Sequence, residues 1–335
     1  MKKIAFGIDI GGINTAFGLV DQDGEIYGEG AIKTASFPNY DDYPSYVATL
    51  TKSMKELLAT LKFKYELIGI GLGAPNASIH TGCIERPANL WKYQANNVGL
   101  NEEARMFNIV GDLSNEFPQA KFIAVTNDAN AATIGEMIFG NAKGMKDFVM
   151  ITLGTGLGSG FVANGEMIYG HDGFAGEFGH VTVERNGRVC GCGRKGCLET
   201  YVSATGIKRT AFELMATTNI PSELRSIPFS EFDALHISKA AQNNDPLALE
   251  IFRYTGEVLG RAFADMCTIT SPEAIIIFGG LAKAGELIFE PTKRYMEENI
   301  MPTFRNKTKL LPSGIQDKNT AVIGASALVW QMYNN

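Results

Sequence analysis

The sequence predicts an α/β fold built as two related lobes, and three observations carry that expectation. At 335 residues the chain is longer than one ordinary hydrophobic core supports, so about two domains are expected. Strand-like apolar runs alternate with segments of helical spacing, the pattern of mixed or parallel sheets covered by helices. The stretch "IAFGIDIGGINTAFGLVDQDGEIYG" (4–28) is echoed by "VMITLGTGLGSGFVANGEMIYG" (149–170), each reading apolar strand, glycine-rich turn, strand, hairpin, strand. In each copy a tight turn, Asp23-Gly24 or Asn164-Gly165, precedes Glu, apolar residues and Tyr-Gly. Two copies about 140 residues apart imply duplicated lobes.

The remaining elements follow in order. Residues 44–61 have helical apolar spacing, and "LIGIGLGAP" (67–75) reads as a buried strand ending in a loop. A strand at 121–125 runs into Thr126-Asn127-Asp128, where a helix N-cap belongs, and then an alanine-rich helix start. Residues 201–265 alternate helical stretches with polar loops, 273–282 form another buried strand entering a glycine pair, and 320–332 read as an apolar helix. The expected lobes are residues 1–125 with 319–335, and residues 126–318.

Composition narrows the function. A formal charge of −6 without a basic run argues against a nucleic-acid partner. No stretch approaches the length of a membrane span, and Asp9 with its neighbouring glycines interrupts the N-terminal apolar run before it makes a signal peptide. Five unevenly placed cysteines do not form a disulfide framework, so a reducing, cytoplasmic setting is expected and the clustered thiols point to metal.

Both glycine turns suit phosphate. Gly11 and Gly12 leave a strand where missing side chains let backbone N–H groups approach an anion. The run Gly154-Thr155-Gly156 continues into a strand, whereas a dinucleotide fingerprint needs a helix there, and no Gly-Lys-Ser/Thr follows either turn. Asp9, at the end of the first strand, is placed to face Mg²⁺ on bound phosphates, with a turn-capping role as the competing reading.

Transfer of a phosphoryl group to a hydroxyl needs a carboxylate to take the proton. Asp128, between a strand end and a helix start, is the candidate, and an ordinary N-cap is the alternative. Asn127, Glu177, His180 and Glu199 are residue types that pair with sugar hydroxyls. His180, Cys190, Cys192 and Cys197 form H-x9-C-x-C-x4-C, four ligands that fill a tetrahedral zinc shell and leave no open position, which makes the site structural. A redox pair normally reads C-x-x-C, and a nucleic-acid knuckle would interleave aromatic rings with its basic residues.

With "DIGGINT", "TNDANAA", "LGTGLGSG", "GEFGH", "CGCGRKGCLE" and "IFGG" in this order, the chain resembles the ROK family of sugar kinases over nearly its whole length. The resemblance implies a two-lobed actin/hexokinase-like (ribonuclease H-like) fold with a structural zinc loop. It also implies lobes closing on a hexose, most readily glucose, with ATP and Mg²⁺ as the donor complex and transfer to the 6-hydroxyl. N-acetylmannosamine, N-acetylglucosamine, fructose and allose are the alternative acceptors. On this resemblance Asp128 is the general base. Gly73, Asn76, Asn89, Asn127, Glu177, His180 and Glu199 line the sugar, Gly11, Gly12, Asn14, Thr15, Gly154, Thr155 and Gly156 cradle phosphates, and Gly279 and Gly280 flank the adenosine. The family pattern often has Pro-Gly where this chain has Pro75-Asn76. A homodimer or homotetramer is expected. The family also holds sugar-responsive repressors with a helix-turn-helix ahead of the first glycine turn; here the first strand starts at residue 4, so no such segment is expected. The zinc loop, with His180 three residues after Glu177 and Cys197 two before Glu199, is expected to brace the sugar-binding segments.

Overall fold

The computed structural model describes residues 1–87, 90–92, 105–315 and 319–334, and its contacts divide the chain into two units. The first comprises Met1–Gly144, Met167–Ala175 and Gly314–Asn335, the second Met145–Glu166 and Gly176–Ser313. The strand and helix on either side of residues 125–126, where a lobe boundary is expected, both lie in the first unit.

In the first unit β1 (Lys2–Ile10), β2 (Thr15–Val20) and β3 (Ile26–Ile32) form an antiparallel meander. Helix α1 (Tyr43–Ala59) carries proline at its start, where the missing N–H costs nothing, and buries Tyr46, Leu50, Met54 and Leu58 at spacings of four. β4 (Tyr65–Gly73) lies parallel to β1. The short strands β5 (Ala77–Ser78), β6 (Cys83–Glu85) and β7 (Met106–Phe107) make a small separate sheet. After α2 (Ile109–Glu116), β8 (Phe122–Thr126) runs parallel to β4 and passes directly into α3 (Asp128–Phe139). The main sheet has the order β3-β2-β1-β4-β8.

The second unit repeats this plan. β9 (Phe148–Leu153) and β10 (Leu157–Ala163) pair antiparallel, and an Asn164-Gly165 turn, with φ of 55° and 81°, leads into β11 (Glu166–Met167). Both turn residues are left-handed, as a two-residue type I′ hairpin demands. Helices α4 (Glu199–Val202), α5 (Ala204–Thr217), α6 (Ala234–Gln242) and α7 (Pro246–Thr270) follow, then β12 (Ala274–Phe278), α8 (Glu286–Asn299) and β13 (Lys309–Pro312). Asp245 caps α7 by accepting from the Ala248 amide at 2.9 Å. The sheet order is β11-β10-β9-β12-β13, with β12 parallel to both β9 and β13. The core of this unit joins Val149, Ile151, Ile275 and Ile277 of the sheet to Phe252, Leu259 and Phe263 of α7.

The last helix, α9 (Thr320–Asn334), returns to the first unit and packs on β1, β4 and α3. It approaches the sheet so closely that a Cβ on Gly7 would stand 1.8 Å from the Val322 carbonyl oxygen, and one on Gly71 1.9 Å from that of Ala325. Glycine alone permits that contact of helix and sheet backbones. The opposite face of the sheet buries Phe6, Ile8, Tyr46 and Trp91. Among the described residues no helix is long and apolar enough to cross a membrane.

Candidate active site and metal centre

In α/β sheets ligands gather beyond the carboxyl ends of parallel strands. In the first unit Asp9 is in register with Gly73 on β4, and Gly73 with Thr126 on β8, so β1, β4 and β8 end along one row. The Ala74 amide donates to the Thr126 carbonyl at 3.0 Å, fixing the β4 exit beside the start of α3. There Asn127 is the N-cap and Asp128 the first helical residue. The Ala129 N–H is shared by Asn127 Oδ1 and Asp128 Oδ1, each at 2.8 Å. The capping role thus falls to Asn127, and Asp128, one position further on, is exposed.

One carboxylate bears on another here. Burial and the nearby negative charge of Asp128 push Asp9 from the ordinary 3.8 to about 6. Packing of protein around its non-solvent sides raises Asp128 as well, opposed by the Ala129 amide that favours its ionised form. Both groups therefore bind a proton more readily than a free carboxylate, and a divalent cation would relieve their mutual repulsion.

The first glycine turn occupies residues 11–14 and is closed by the Gly11 amide on the Asn14 carbonyl at 3.0 Å. Gly12, Ile13 and Asn14 are exposed and Gly11 is half-buried. Thr15, expected in the phosphate-binding set, turns its side chain inward. It is fully buried, with its hydroxyl hydrogen-bonded to Thr34 at 2.8 Å and Tyr46 at 2.9 Å, because it starts β2 on the face turned toward α1. Asn76 explains its own departure from Pro-Gly. Its φ is 55°, a left-handed conformation that asparagine tolerates best among residues with a side chain, and its Nδ2 donates to the Arg86 carbonyl at 3.2 Å. Asn89 lies outside the described residues.

In the second unit the turn 154–156 is closed by the Gly154 amide on the Gly156 carbonyl at 3.0 Å, leaving Thr155 exposed. Phe278 pairs with Thr152, which sets Gly279 against the backbone just before this turn. Gly279 has φ of 110°, and a Cβ there would meet the Leu153 carbonyl oxygen at 2.4 Å, so only glycine fits. Gly280 is exposed. The structure thus brings Gly154, Thr155, Gly156, Gly279 and Gly280 to the neighbouring ends of β9 and β12. Glu199, at the start of α4, is drawn to the same place: its Oε2 accepts from the Leu157 amide at 2.9 Å.

The metal ligands converge. One ligand atom from each of His180, Cys190, Cys192 and Cys197 lies within 4.8 Å of all the others. Cys192 Sγ and Cys197 Sγ are 3.7 Å apart, and His180 Nδ1 is 3.6 Å from Cys190 Sγ. Zinc with bonds of about 2.3 Å to sulfur and 2.0–2.1 Å to nitrogen places tetrahedral S···S pairs about 3.8 Å and N···S pairs about 3.6 Å apart, so the geometry fits. The chemistry agrees, since burial and the adjacent thiols push Cys197 up to about 12, and a cation is needed to hold the thiolate form. His180 Nε2 lies 3.9 Å from Glu177 Oε2. Glu177 is exposed and opens the short 3-10 turn Phe178–His180.

One residue of this loop escapes a reading of the sequence. By spacing Arg188 is one of four basic residues, with Arg185, Arg194 and Lys195, between His180 and Cys197, yet its side chain is only 6% exposed and ion-paired with Glu213. Only the packing of α5 against the loop reveals that burial.

Known proteins bear on this geometry. The model for the ROK family matches residues 5–332. The glucokinase of Halalkalibacterium halodurans is 35% identical over 98% of this chain and 96% of its own length. A ROK family glucokinase from Streptomyces griseus, solved in complex with glucose and AMPPNP, superposes with a TM-score of 0.75 at 28% identity, covering 98% of this chain and 99% of that one. The xylose repressor of Bacillus spizizenii is 28% identical over 64% of this chain and 52% of its own.

Proposed function

This chain belongs to the ROK family, and from that premise we propose that it is an ATP-dependent sugar kinase that phosphorylates the 6-hydroxyl of glucose. The observation that carries the reading is the pair Asp9, near the end of β1 and raised by burial and by the charge of Asp128, and Asp128, at the start of α3 and open to solvent.

Asp128 serves as general base. As the acceptor oxygen forms its bond to the γ-phosphorus and the bond to the bridging oxygen breaks, the hydroxyl proton passes to the Asp128 carboxylate. A raised pKa makes it a stronger base than a free aspartate, while the Ala129 N–H and the start of α3 favour its ionised form. Asn127 uses its Oδ1 for the cap, which leaves its Nδ2 to donate to a sugar hydroxyl. Asp9 would hold the Mg²⁺ that ATP carries, a role suited to a half-buried carboxylate whose charge is costly without a cation.

In the second unit the turn Gly154-Thr155-Gly156 binds phosphate oxygens through the Thr155 hydroxyl and the Thr155 and Gly156 amides, with the Gly154 amide closing the turn, and Gly279 and Gly280 flank the adenosine. Glu177 and His180 Nε2 bind sugar hydroxyls, with the opposite ring nitrogen of His180 committed to zinc. Gly73, Asn76 and Asn89 complete the sugar-binding set.

A second reading is a sugar-binding regulator without catalysis, favoured by the similarity to a xylose repressor. ADP release with ATP and Mg²⁺ across a panel of hexoses and N-acetylhexosamines separates the two. Fastest turnover on glucose is expected; turnover fastest on another sugar reassigns the acceptor, and none on any sugar rejects the kinase.

A further inference from the structure

One short stretch of chain holds the second glycine turn. Glu199 Oε2 takes the Leu157 N–H at 2.9 Å, the Ala204 amide donates to the Gly154 carbonyl at 2.8 Å, and Thr205 Oγ1 donates to the Thr155 carbonyl at 2.8 Å. The junction of α4 and α5 therefore fixes the backbone of residues 154–156, and with it the direction of the N–H groups that remain free for an anion. A Cβ on Gly156 would stand 2.4 Å from Glu199 Oε2, so the two segments are in direct contact.

Arg188 secures that junction. Its Nη1 donates to the carbonyls of Thr200 at 2.7 Å and Gly206 at 3.2 Å, its Nη2 donates to Thr210 Oγ1 at 2.9 Å, and its Nε donates to Glu213 Oε1 at 2.9 Å. The guanidinium lies over the Tyr201 ring, 4.4 Å from the centroid, and the Arg188 amide donates to the Tyr201 hydroxyl at 3.1 Å. On its other side the Arg188 carbonyl accepts from the Gly196 amide at 2.8 Å, next to the zinc-cluster residue Cys197. One residue is thus bonded both within the zinc loop and to the helices that seat the glycine turn. A buried cation is a poor source of net stability, but its many directional bonds define a single arrangement.

We propose that Arg188 is a positioning residue for nucleotide binding: it locks the zinc loop to the α4–α5 junction and so sets the geometry of the 154–156 turn. This rests on the kinase reading, in which that turn meets the phosphates of ATP. It also alters what the zinc loop is for. Spacing in the sequence ties the loop to sugar-binding residues, whereas these bonds tie it to the phosphate turn as well.

The test compares wild type, Arg188→Met and Arg188→Lys for zinc content, AMPPNP affinity and KM values. Arg188→Met keeps the buried stem and leaves Glu213, 57% exposed, to solvent. The variant is expected to retain one zinc per chain and a glucose KM within about two-fold, while KM for ATP and Kd for AMPPNP rise about ten-fold. Arg188→Lys, which restores the charge and part of the donor set, should recover about half of that effect on a logarithmic scale. An unchanged ATP KM in folded, zinc-loaded Arg188→Met overturns the proposal, as does equal weakening of both substrates. If Arg188→Met does not fold, Thr205→Val at an exposed position takes its place, with an ATP KM about three-fold higher expected and no change overturning the proposal. Wild-type protein that binds AMPPNP but phosphorylates no sugar defeats the kinase reading alone, and the AMPPNP affinities of the variants then decide on Arg188.

Discussion

The two sheets share a strand order, yet their strand ends carry different chemistry. In the first unit the residue one step before the closing pair Ile10 and Thr15 is Asp9, a carboxylate raised to about 6. In the second the matching residue before Leu153 and Leu157 is Thr152, whose hydroxyl accepts from the Gly158 amide at 3.1 Å. Beyond these positions the first sheet presents Asp128 at a helix start, and the second presents Gly154, Thr155, Gly156 and a glycine pair. The same strand order occurs twice, and a few residues at the strand ends give one unit a pair of carboxylates and the other a glycine-rich turn. The turns differ in support too. Each turn has one internal bond, but the first is tied from outside by the Ala35 amide on the Ile13 carbonyl at 3.0 Å, whereas the second is held by Glu199, Ala204 and Thr205.

The sharpest way to break this contrast is at the proton-handling end. Asp128→Asn should lower kcat by about 10³-fold while AMPPNP binding stays near wild type, because the substitution removes a base and leaves the second unit untouched. Loss of nucleotide affinity on the same scale would show that the division of labour is wrong.

Next in size is Gly279→Ala, which places a methyl against the Leu153 carbonyl at a φ of 110°. Denaturant unfolding should show roughly 3 kcal/mol of lost stability, and KM for ATP should rise more than KM for sugar. Equal changes in the two KM values would detach this end from the nucleotide.

Asp9→Asn should separate stability from function. With its folded pKa raised from 3.8 to about 6, ionising Asp9 costs the native state stability as pH climbs from about 4 through 6. The variant escapes this cost, so it should be more stable than wild type by about 2 kcal/mol at pH 7 and nearly equal to it at pH 4, yet be impaired as a kinase. Thermal melts at the two pH values check the sign, and a stability gain that is larger at pH 4 would refute the assignment.

The smallest expected effect is Thr15→Val. Two buried hydroxyls, on Thr34 and Tyr46, lose a partner, at a cost of about 1–2 kcal/mol in stability, with KM for ATP changing less than two-fold. A large rise in that KM would return Thr15 to the phosphate-binding set.

Much of this is legible in the sequence. The repeat, the alternation of strands and helices and the spacing of His180, Cys190, Cys192 and Cys197 are local patterns, and the family follows from ordered motifs. The residues that resisted are those whose role depends on a distant neighbour. Thr15 sits in a motif yet turns inward toward Thr34 and Tyr46. Asn127 and Asp128 are adjacent candidates for one cap, and which of them caps depends on the backbone angle at the helix entry. Glu199, expected among sugar ligands, spends one oxygen on an amide 42 residues away.

The sequence by itself determined the α/β plan, the duplicated glycine turns, the zinc ligand set and the family, because strand periodicity, turn chemistry and ligand spacing act over a few residues. Only the tertiary structure decided that the Thr15 side chain is buried against Thr34 and Tyr46, that Asn76 adopts a left-handed turn, that burial and Asp128 raise Asp9, and that Arg188 is buried. Burial, charge coupling and hydrogen-bond partners are properties of which surfaces meet, and segments far apart in the chain set them when they pack.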